Sequence, residues 1–424
     1  MHQPMVTRAI DLPSELDRVL CQGLIAPAYQ PIVELATGQV VAFEALARVA
    51  GDSPLARPDL LFATARDEGR LVELDWACRL AALRGAIAHG LRRPLFINCE
   101  PEAMPVPPAP EALAVIEEAK SLFQPVLELT ERDLNDHPRA ILETLPVIRD
   151  RGVGVALDDV GVDPRSLALM PFVLPDVIKL DLSLTQAPFD VDFAETVHAV
   201  NAHAERKGAL VLAEGIETEE HVIRARSLGA THGQGWFFGR PGPLSAEARM
   251  PVSPMIVPGG EPCADDGAGT PFEAIAPQLH IRQGTKRLLL ALSRQLEAHA
   301  AKLDHAGVLL STFQSAEHFT GASRAQYERL GSELAFVGAI GRGLDHHENG
   351  GTRGAALEPG DPLELEWDVC VLGPHFAGAF VARDLGDTGP DMERRFAFAM
   401  TYDRELVVRV ARRLMASLAP QPRR

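Results

Sequence analysis

From about residue 20 to residue 250, short apolar runs alternate with amphipathic stretches, and the runs stop at an acidic or amide residue. Glu44 follows VVAF, Asn98 follows PLFI, Glu128 follows PVL, Asp158 and Asp159 follow VGVAL, Lys179 and Asp181 lie in VIKLD, and Glu214 follows ALVLA. Segments between them, such as LPVIRDRG before VGVALDD and AETVHAVNAHAERKG before ALVLAEG, space their apolar positions as helices do. Intervals of 30 positions from Glu128 to Asp158, 21 from Asp158 to Lys179 and 35 from Lys179 to Glu214 fit strand-helix units of roughly 30 residues. The pattern predicts an α/β fold with a parallel barrel over 15 to 250. It brings these side chains to the rim at the strands' carboxyl ends, where barrel enzymes place their catalytic groups.

Residues 251 to 273, PVSPMIVPGGEPCADDGAGTPFE, are rich in Pro, Gly and Asp without sustained periodicity and read as a linker. A second, smaller α/β domain is predicted over 274 to 420. LHIRQGTKRLLLALSRQLEAHAAKL and RAQYERLGSEL have helical spacing, whereas GVLLSTF, AFVGAIGRGL, LELEWDVCVLG and FAGAFVARDL read as strands. MERRFAFAMTYDRELVVRVARRLMASL predicts one long terminal helix, with Arg404, Arg409, Arg412 and Arg413 on a basic outer face. Trp367 is expected to anchor a sheet, and the adjacent His346 and His347 to lie in a solvated turn.

Composition narrows the function. A chain of 424 residues with 46% hydrophobic residues and a mean hydropathy of zero can fill two soluble cores. Its net charge of -17 argues against a nucleic-acid polymer as partner, because such binders concentrate positive charge. An anionic substrate then needs metal ions or local Lys and Arg. The five cysteines, Cys21, Cys78, Cys99, Cys263 and Cys370, lack the close pairing of a zinc site and read as reduced thiols of a cytoplasmic protein. No signal-peptide core opens the chain and no run approaches the length of a membrane span.

Like charges gathered at one rim repel: two at 4 Å cost about 4 kcal/mol at an effective dielectric of 20. A cluster of Glu44, Glu128, Asp158, Asp159 and Glu214 therefore calls for cations, and oxygen donors suit hard divalent ions. Two such ions about 3.5 to 4 Å apart are the usual arrangement for cleaving a phosphodiester. Spacing alone leaves other barrel chemistry open.

The motifs themselves go further. FEALAR at 43 to 48, INCEPE at 97 to 102, LELTE at 127 to 131, ALDDVG at 156 to 161, IKLD at 178 to 181, AEGIE at 213 to 217 and GQGWFFGRP at 233 to 241, with YQPIV at 29 to 33, resemble in order the motif set of EAL-domain cyclic-di-GMP phosphodiesterases. The resemblance covers roughly residues 15 to 248. It implies a modified TIM (β/α)8-type barrel and Mg²⁺- or Mn²⁺-dependent hydrolysis of cyclic di-GMP to linear pGpG. Carried over by motif, it implies metal ligation by Glu44, Asn98, Glu128, Asp158, Asp159 and Glu214. Lys179, Asp159, Glu214 and Glu131 would serve catalysis, Lys179 by orienting the water and Glu131 by bracing the loop after the Asp pair. Gln30, Glu44, Leu46, Arg48, Asn98, Asp181 and Gln234 would meet the substrate, and Glu217 would support the site from behind. A homodimer is also implied.

One motif departs from the family. Its Asp pair usually continues as DFGTG, a loop that links the metal site to the dimer interface, whereas this chain reads DDVGVDPRSLALMPF. A non-catalytic module that binds cyclic di-GMP or a protein is the alternative that this departure opens. VLLSTFQSAEHFTGASRAQYERLGSELAFVGAIGRGL, at 308 to 344, resembles the DICT domain of bacterial signalling proteins, which implies a sensory, regulatory role for a signal the motif does not name.

Overall fold

The computed structural model describes residues 14–130, 138–163, 166–186, 191–244, 255, 257, 269–344 and 351–418. Eight strands close a barrel in chain order: β1 (Ala28–Glu34), β2 (Val40–Leu46), β3 (Leu95–Asn98), β4 (Pro125–Thr130), β5 (Gly154–Val160), β6 (Val177–Leu180), β7 (Leu210–Ala213) and β8 (His232–Gln234). Outside it lie α1 (Glu15–Cys21), α2 (Pro58–Asp67), α3 (Leu71–Ala88), α4 (Pro110–Leu122), α5 (Pro138–Asp150), α6 (Ser166–Val173), α7 (Leu182–Gln186), α8 (Val191–Lys207) and α9 (Glu219–Ser227).

The expectation of an all-parallel barrel needs one correction. β1 runs antiparallel to both neighbours, β2 and β8, while the remaining pairs are parallel. Residues 35–39 between β1 and β2 form a tight turn with Gly38 at φ 70°. So short a connection cannot make the crossover that a parallel pair requires. The reversal pairs Gln30 with Glu44, which puts the start of β1 at the same rim as the ends of β2 to β8.

The second domain is built on a seven-stranded sheet in the order β12-β11-β10-β13-β14-β15-β9. Its strands are β9 (Arg282–Thr285), β10 (Val308–Ser315), β11 (Phe336–Arg342), β12 (Thr352–Ala356), β13 (Glu366–Leu372), β14 (Ala377–Asp384) and β15 (Arg395–Thr401); its helices are α10 (Pro271–Ile275), α11 (Lys286–Ala300), α12 (Gly321–Glu333) and α13 (Arg404–Ala416). Leu289, Leu296, Tyr327 and Leu330 of α11 and α12 pack with Leu309, Val337, Val371 and Phe380 on one face. Val407, Val410 and Leu414 of α13 join Leu310, Ile340, Cys370 and Val381 on the other.

The single terminal helix predicted over 392 to 418 is instead a strand followed by a helix. RFAFAMT buries Phe396 and Phe398 two positions apart, a strand period that the flanking helical pattern masked. Asp403 then starts α13, its Oδ1 accepting from the backbone N–H of Glu405 at 3.0 Å and of Leu406 at 3.2 Å. Nor is the arginine face free: Arg412 is buried, Arg409 donates to Ala274 O at 3.2 Å, and Arg413 donates to Gly269 O at 2.5 Å. Trp367 meets Phe380 and Phe396 edge to face, with centroids at 5.6 and 5.9 Å, and so anchors the sheet. His346 and His347 lie outside the described residues.

Two parts of the segment read as a linker are packed. Met255 and Val257 are buried with Ile32, Ala42, Phe96 and Val126 inside the barrel, and Met255 N donates to Val41 O at 3.3 Å. At its far end, Glu366 accepts from Thr270 Oγ1, from Phe272 N at 3.1 Å and from Arg383 Nη2 at 2.7 Å. α13 also packs against α5 and α6 of the barrel, so Ile141, Leu145 and Phe172 belong to the same apolar cluster as Val407 and Leu414.

Asp368 is fully buried near Glu366, with Thr312 Oγ1 3.3 Å from its Oδ2. Burial, and then the Glu366 charge, push its carboxyl well above the ordinary range. Folding thus favours its protonated form, a contribution present below the unfolded value near 3.8 and lost as pH rises through the folded one. Asp368→Asn is expected to raise the melting temperature by about 2–4 °C at pH 8 and to leave it unchanged near pH 4. Scanning calorimetry at the two pH values checks this, and an equal shift at both would contradict it.

Candidate metal and phosphodiester site

Along every barrel strand, inward positions recur at a period of two. Ile32, Ala42, Phe96, Val126, Ala156, Val177 and Leu212 fill one apolar layer. The inward residue nearer the rim is Gln30, Glu44, Asn98, Glu128, Asp158, Lys179 and Glu214, respectively. The acidic ring is therefore the polar layer directly above an apolar barrel core.

At its centre stands Lys179, 1% exposed, with Nζ 2.6 Å from Glu128 Oε1, 2.7 Å from Glu214 Oε1, 2.9 Å from Asp158 Oδ1 and 3.9 Å from Glu44 Oε2. Four carboxylates surround one ammonium. Burial works against the Lys179 charge, but Asp158, Glu128, Glu214 and Glu44 together outweigh it and hold its pKa well above the ordinary lysine value. Burial raises Glu128, and Glu44 adds to the effect; burial also raises Glu214, with Lys179 opposing.

The amides lace the ring together. Asn98 Nδ2 donates to Glu44 Oε1 at 3.2 Å, and Gln234 Nε2 donates to Glu44 Oε2 at 2.5 Å and to Gln30 Oε1 at 3.1 Å. Gln30 Nε2 in turn donates to Gly239 O at 3.1 Å, a link between β1 and the segment after β8 that no sequence spacing announced. Gly235 lets this segment run against Ile216: a Cβ there would strike the Ile216 backbone.

Asp159 departs from the strand alternation. It is exposed, with φ 57°, in the left-handed region that side chains other than glycine rarely adopt. The pairing of β5 with β6 shifts between Leu157 and Val160, and at this irregularity the Asp159 carboxylate stands at the rim beside that of Asp158. Asp158, Asp159 and Glu214 each bring a carboxylate oxygen within 4.8 Å of the others. Val160, where the family usually has Phe, is fully buried, and Val162 is exposed.

Leu46, Arg48, Asn98 and Glu128 line an open cleft of about 730 Å³ next to the acidic ring, together with Phe62 of α2. Asp181 stands just past β6, where its Oδ1 accepts from Ser183 N at 2.8 Å at the start of α7. Glu217 is exposed beyond β7, and Glu131 lies outside the described residues. Sequence reading missed Asp75 of α3: buried and ion-paired with Arg79, it accepts from Glu100 N at 2.9 Å and so fixes the loop after Asn98. The one signal for it was an Asp and an Arg four positions apart on an apolar helix.

A model of the EAL domain matches residues 14–241. The chain belongs to the EAL domain family. Residues 273–385 match the DICT family, described as a sensory domain in diguanylate cyclases and two-component systems. The chain is 30% identical to the cyclic di-GMP phosphodiesterase NbdA of Pseudomonas aeruginosa, over 57% of its own length and 32% of that protein. It is 33% identical to an uncharacterized signaling protein of Caulobacter vibrioides over 54% of its length and 30% of that protein. The matches thus span about a third of these relatives. The manganese and cyclic di-GMP complex of Klebsiella pneumoniae BlrP1 is 29% identical over 51% of this chain and 56% of that one, with a TM-score of 0.45. No helix among the described residues is long and apolar enough to cross a membrane.

Proposed function

We propose that this EAL barrel hydrolyses cyclic di-GMP to linear pGpG with two divalent ions, Mg²⁺ or Mn²⁺. The observation that carries this reading is the buried ring in which Glu44, Glu128, Asp158 and Glu214 meet the single cation Lys179. One ammonium leaves the ring strongly negative, and hard oxygen donors in excess over cations are the donor set that such ions take. Glu44, Asn98, Glu128, Asp158, Asp159 and Glu214 would hold them. When bound, the ions supply Lewis acidity to the phosphoryl group and to water.

The chain's own groups do the rest. Lys179 keeps its proton and orients the attacking water by hydrogen bonding while its carboxylate neighbours engage the ions. Gln234 and Gln30 hold Glu44 in place, and Arg48 and Leu46 seat the dinucleotide in the adjacent cleft. Water adds across one of the two phosphodiesters, so the product is linear and keeps every atom of substrate and water. Glu131 and Asp181 stay in the proposal as loop brace and substrate contact, as does a cytoplasmic homodimer.

The C-terminal domain belongs to the same reading as the regulator. α13 packs on α6, the helix that follows the Asp158 and Asp159 segment, and a signal that shifts α13 therefore acts on the loop carrying two ligands.

Full-length protein incubated with cyclic di-GMP and Mn²⁺ is expected to yield pGpG on chromatography, and excess chelator to stop it. The substituted segment after Asp159 favours one alternative, a receptor that binds without turnover. Intact cyclic di-GMP in the presence of Mn²⁺, with calorimetric binding, would establish that alternative and overturn the hydrolase.

A further inference from the structure

The open cleft beside the acidic ring is walled in part by α2, which contributes Phe62 and Arg66. The two stand four positions apart and so share one face of the helix. Phe62 is half-buried against the apolar cluster of Leu16, Leu61 and Leu74, which fixes its ring while leaving part of it to the cleft. Arg66 donates from Nη2 to Glu100 Oε2 at 3.2 Å, and the two side chains remain 43% and 25% exposed. Glu100 also lines the cleft. Its backbone is held from behind, because its N–H donates to Oδ1 of buried Asp75 at 2.9 Å.

An ion pair this open adds little to stability. What it offers is a guanidinium and a carboxylate side by side, next to an aromatic face. A phosphate would be drawn to Arg66 and repelled by Glu100. An uncharged edge with acceptors beside donors takes both. Guanine has that edge, with O6 and N7 accepting, and with N1–H and the 2-amino group donating beside them. Adenine turns an amino group toward the arginine, an acceptor toward the carboxylate, and has no 2-amino group. We propose that Arg66, Glu100 and Phe62 form the subsite that reads one guanine of the substrate, Arg66 donating to O6 and N7, Glu100 accepting from N1 and the 2-amino group, and Phe62 stacking on the ring.

The placement suits a base whose phosphate lies at the rim. Asn98 and Glu128 of the ring line the same cleft, and Glu100 is two residues beyond Asn98. Arg48 and Arg66 are the basic residues of its lining, so one is left for the phosphate side and one for the base. Stacking on an aromatic face tolerates any base. Selection therefore falls to the ion pair, and Phe62 contributes affinity alone. The subsite deepens the cyclic di-GMP reading of this cleft and rests on it.

The full chain and its variants are compared on cyclic di-GMP and cyclic di-AMP with Mn²⁺, by KM and kcat where there is turnover and by calorimetric Kd where there is binding alone. The wild type is expected to prefer the guanine dinucleotide at least about a hundredfold. Arg66→Met is expected to cut this preference at least about tenfold, raising KM for cyclic di-GMP more than it lowers kcat. Glu100→Gln keeps the backbone link to Asp75. It is expected to cut the preference likewise, and to lose the penalty that the wild type shows for cyclic di-IMP, whose bases lack the 2-amino group. Phe62→Leu is expected to weaken guanine and adenine ligands alike. An unchanged preference in Arg66→Met and Glu100→Gln, or an equal loss for both dinucleotides in them, would overturn the subsite and leave the hydrolase standing. Binding without turnover that keeps the Arg66-dependent preference would overturn the hydrolase and support the subsite. A wild type that neither binds nor cleaves cyclic di-GMP would overturn both.

Discussion

Lys179→Met will abolish hydrolysis and destabilise the metal-free protein by about 3–5 kcal/mol, the usual cost of stripping one partner from a buried ion cluster. Lys179 is the only cation within reach of Glu128, Asp158 and Glu214 among the described residues, at 2.6, 2.9 and 2.7 Å. Without it, Glu128 and Glu214, whose carboxyls burial already pushes upward, must protonate or repel. The deficit therefore grows as pH rises through their folded pKa values and shrinks in acid, where both states carry the protons. Divalent ions replace the lost charge, so Mn²⁺ restores much of the stability and none of the activity. Glu44→Gln separates these effects: it removes a proposed ligand and one negative charge together. It is expected to lose hydrolysis while the metal-free fold stays as stable as the wild type. Urea unfolding of the three proteins with chelator and with Mn²⁺ reads both outcomes. Wild-type stability in chelated Lys179→Met would remove the argument that the ring is cation-starved.

The acidic ring was legible because a strand's inward positions recur every second residue and its last one falls at the rim. Ala42 and Glu44, Val126 and Glu128, and Val177 and Lys179 each repeat one step, apolar then polar. What the pattern could not convey was direction. The reversal of β1 is set by the turn at residues 35–39, and an apolar run such as YQPIV reads the same in either sense. Periodicity failed once more at RFAFAMT, where a strand abuts an amphipathic helix with only Tyr402 and Asp403 between them, and the longer helical signal absorbed it. The packing of Met255 and Val257 inside the barrel was hidden for a different reason. Proline- and glycine-rich composition reports the lack of regular structure, not the lack of burial. Asp75 escaped notice because its part is played through the Glu100 backbone, and backbone partners leave no mark on residue spacing.

Truncation before α10 is expected to cost the barrel its independent fold. A deletion that left a self-sufficient enzyme would suit a domain tethered through a spacer, but α13 is packed on α5 and α6, and Ile141, Leu145 and Phe172 share one apolar cluster with Val407 and Leu414. Exposing even about 400 Å² of apolar surface costs about 10 kcal/mol at 25 cal/mol per Å², comparable to the whole stability of a typical domain. The shortened chain should aggregate on size exclusion or melt at least about 10 °C below the full protein. A monodisperse barrel with an unchanged melting temperature would show that the interface contributes little. The distinction bears on regulation, because lost activity in a destabilised truncation reports a broken core rather than a missing signal. If the C-terminal domain governs the Asp158 and Asp159 segment, it does so as a packed part of the barrel's outer layer, through shifts of α13 against α6.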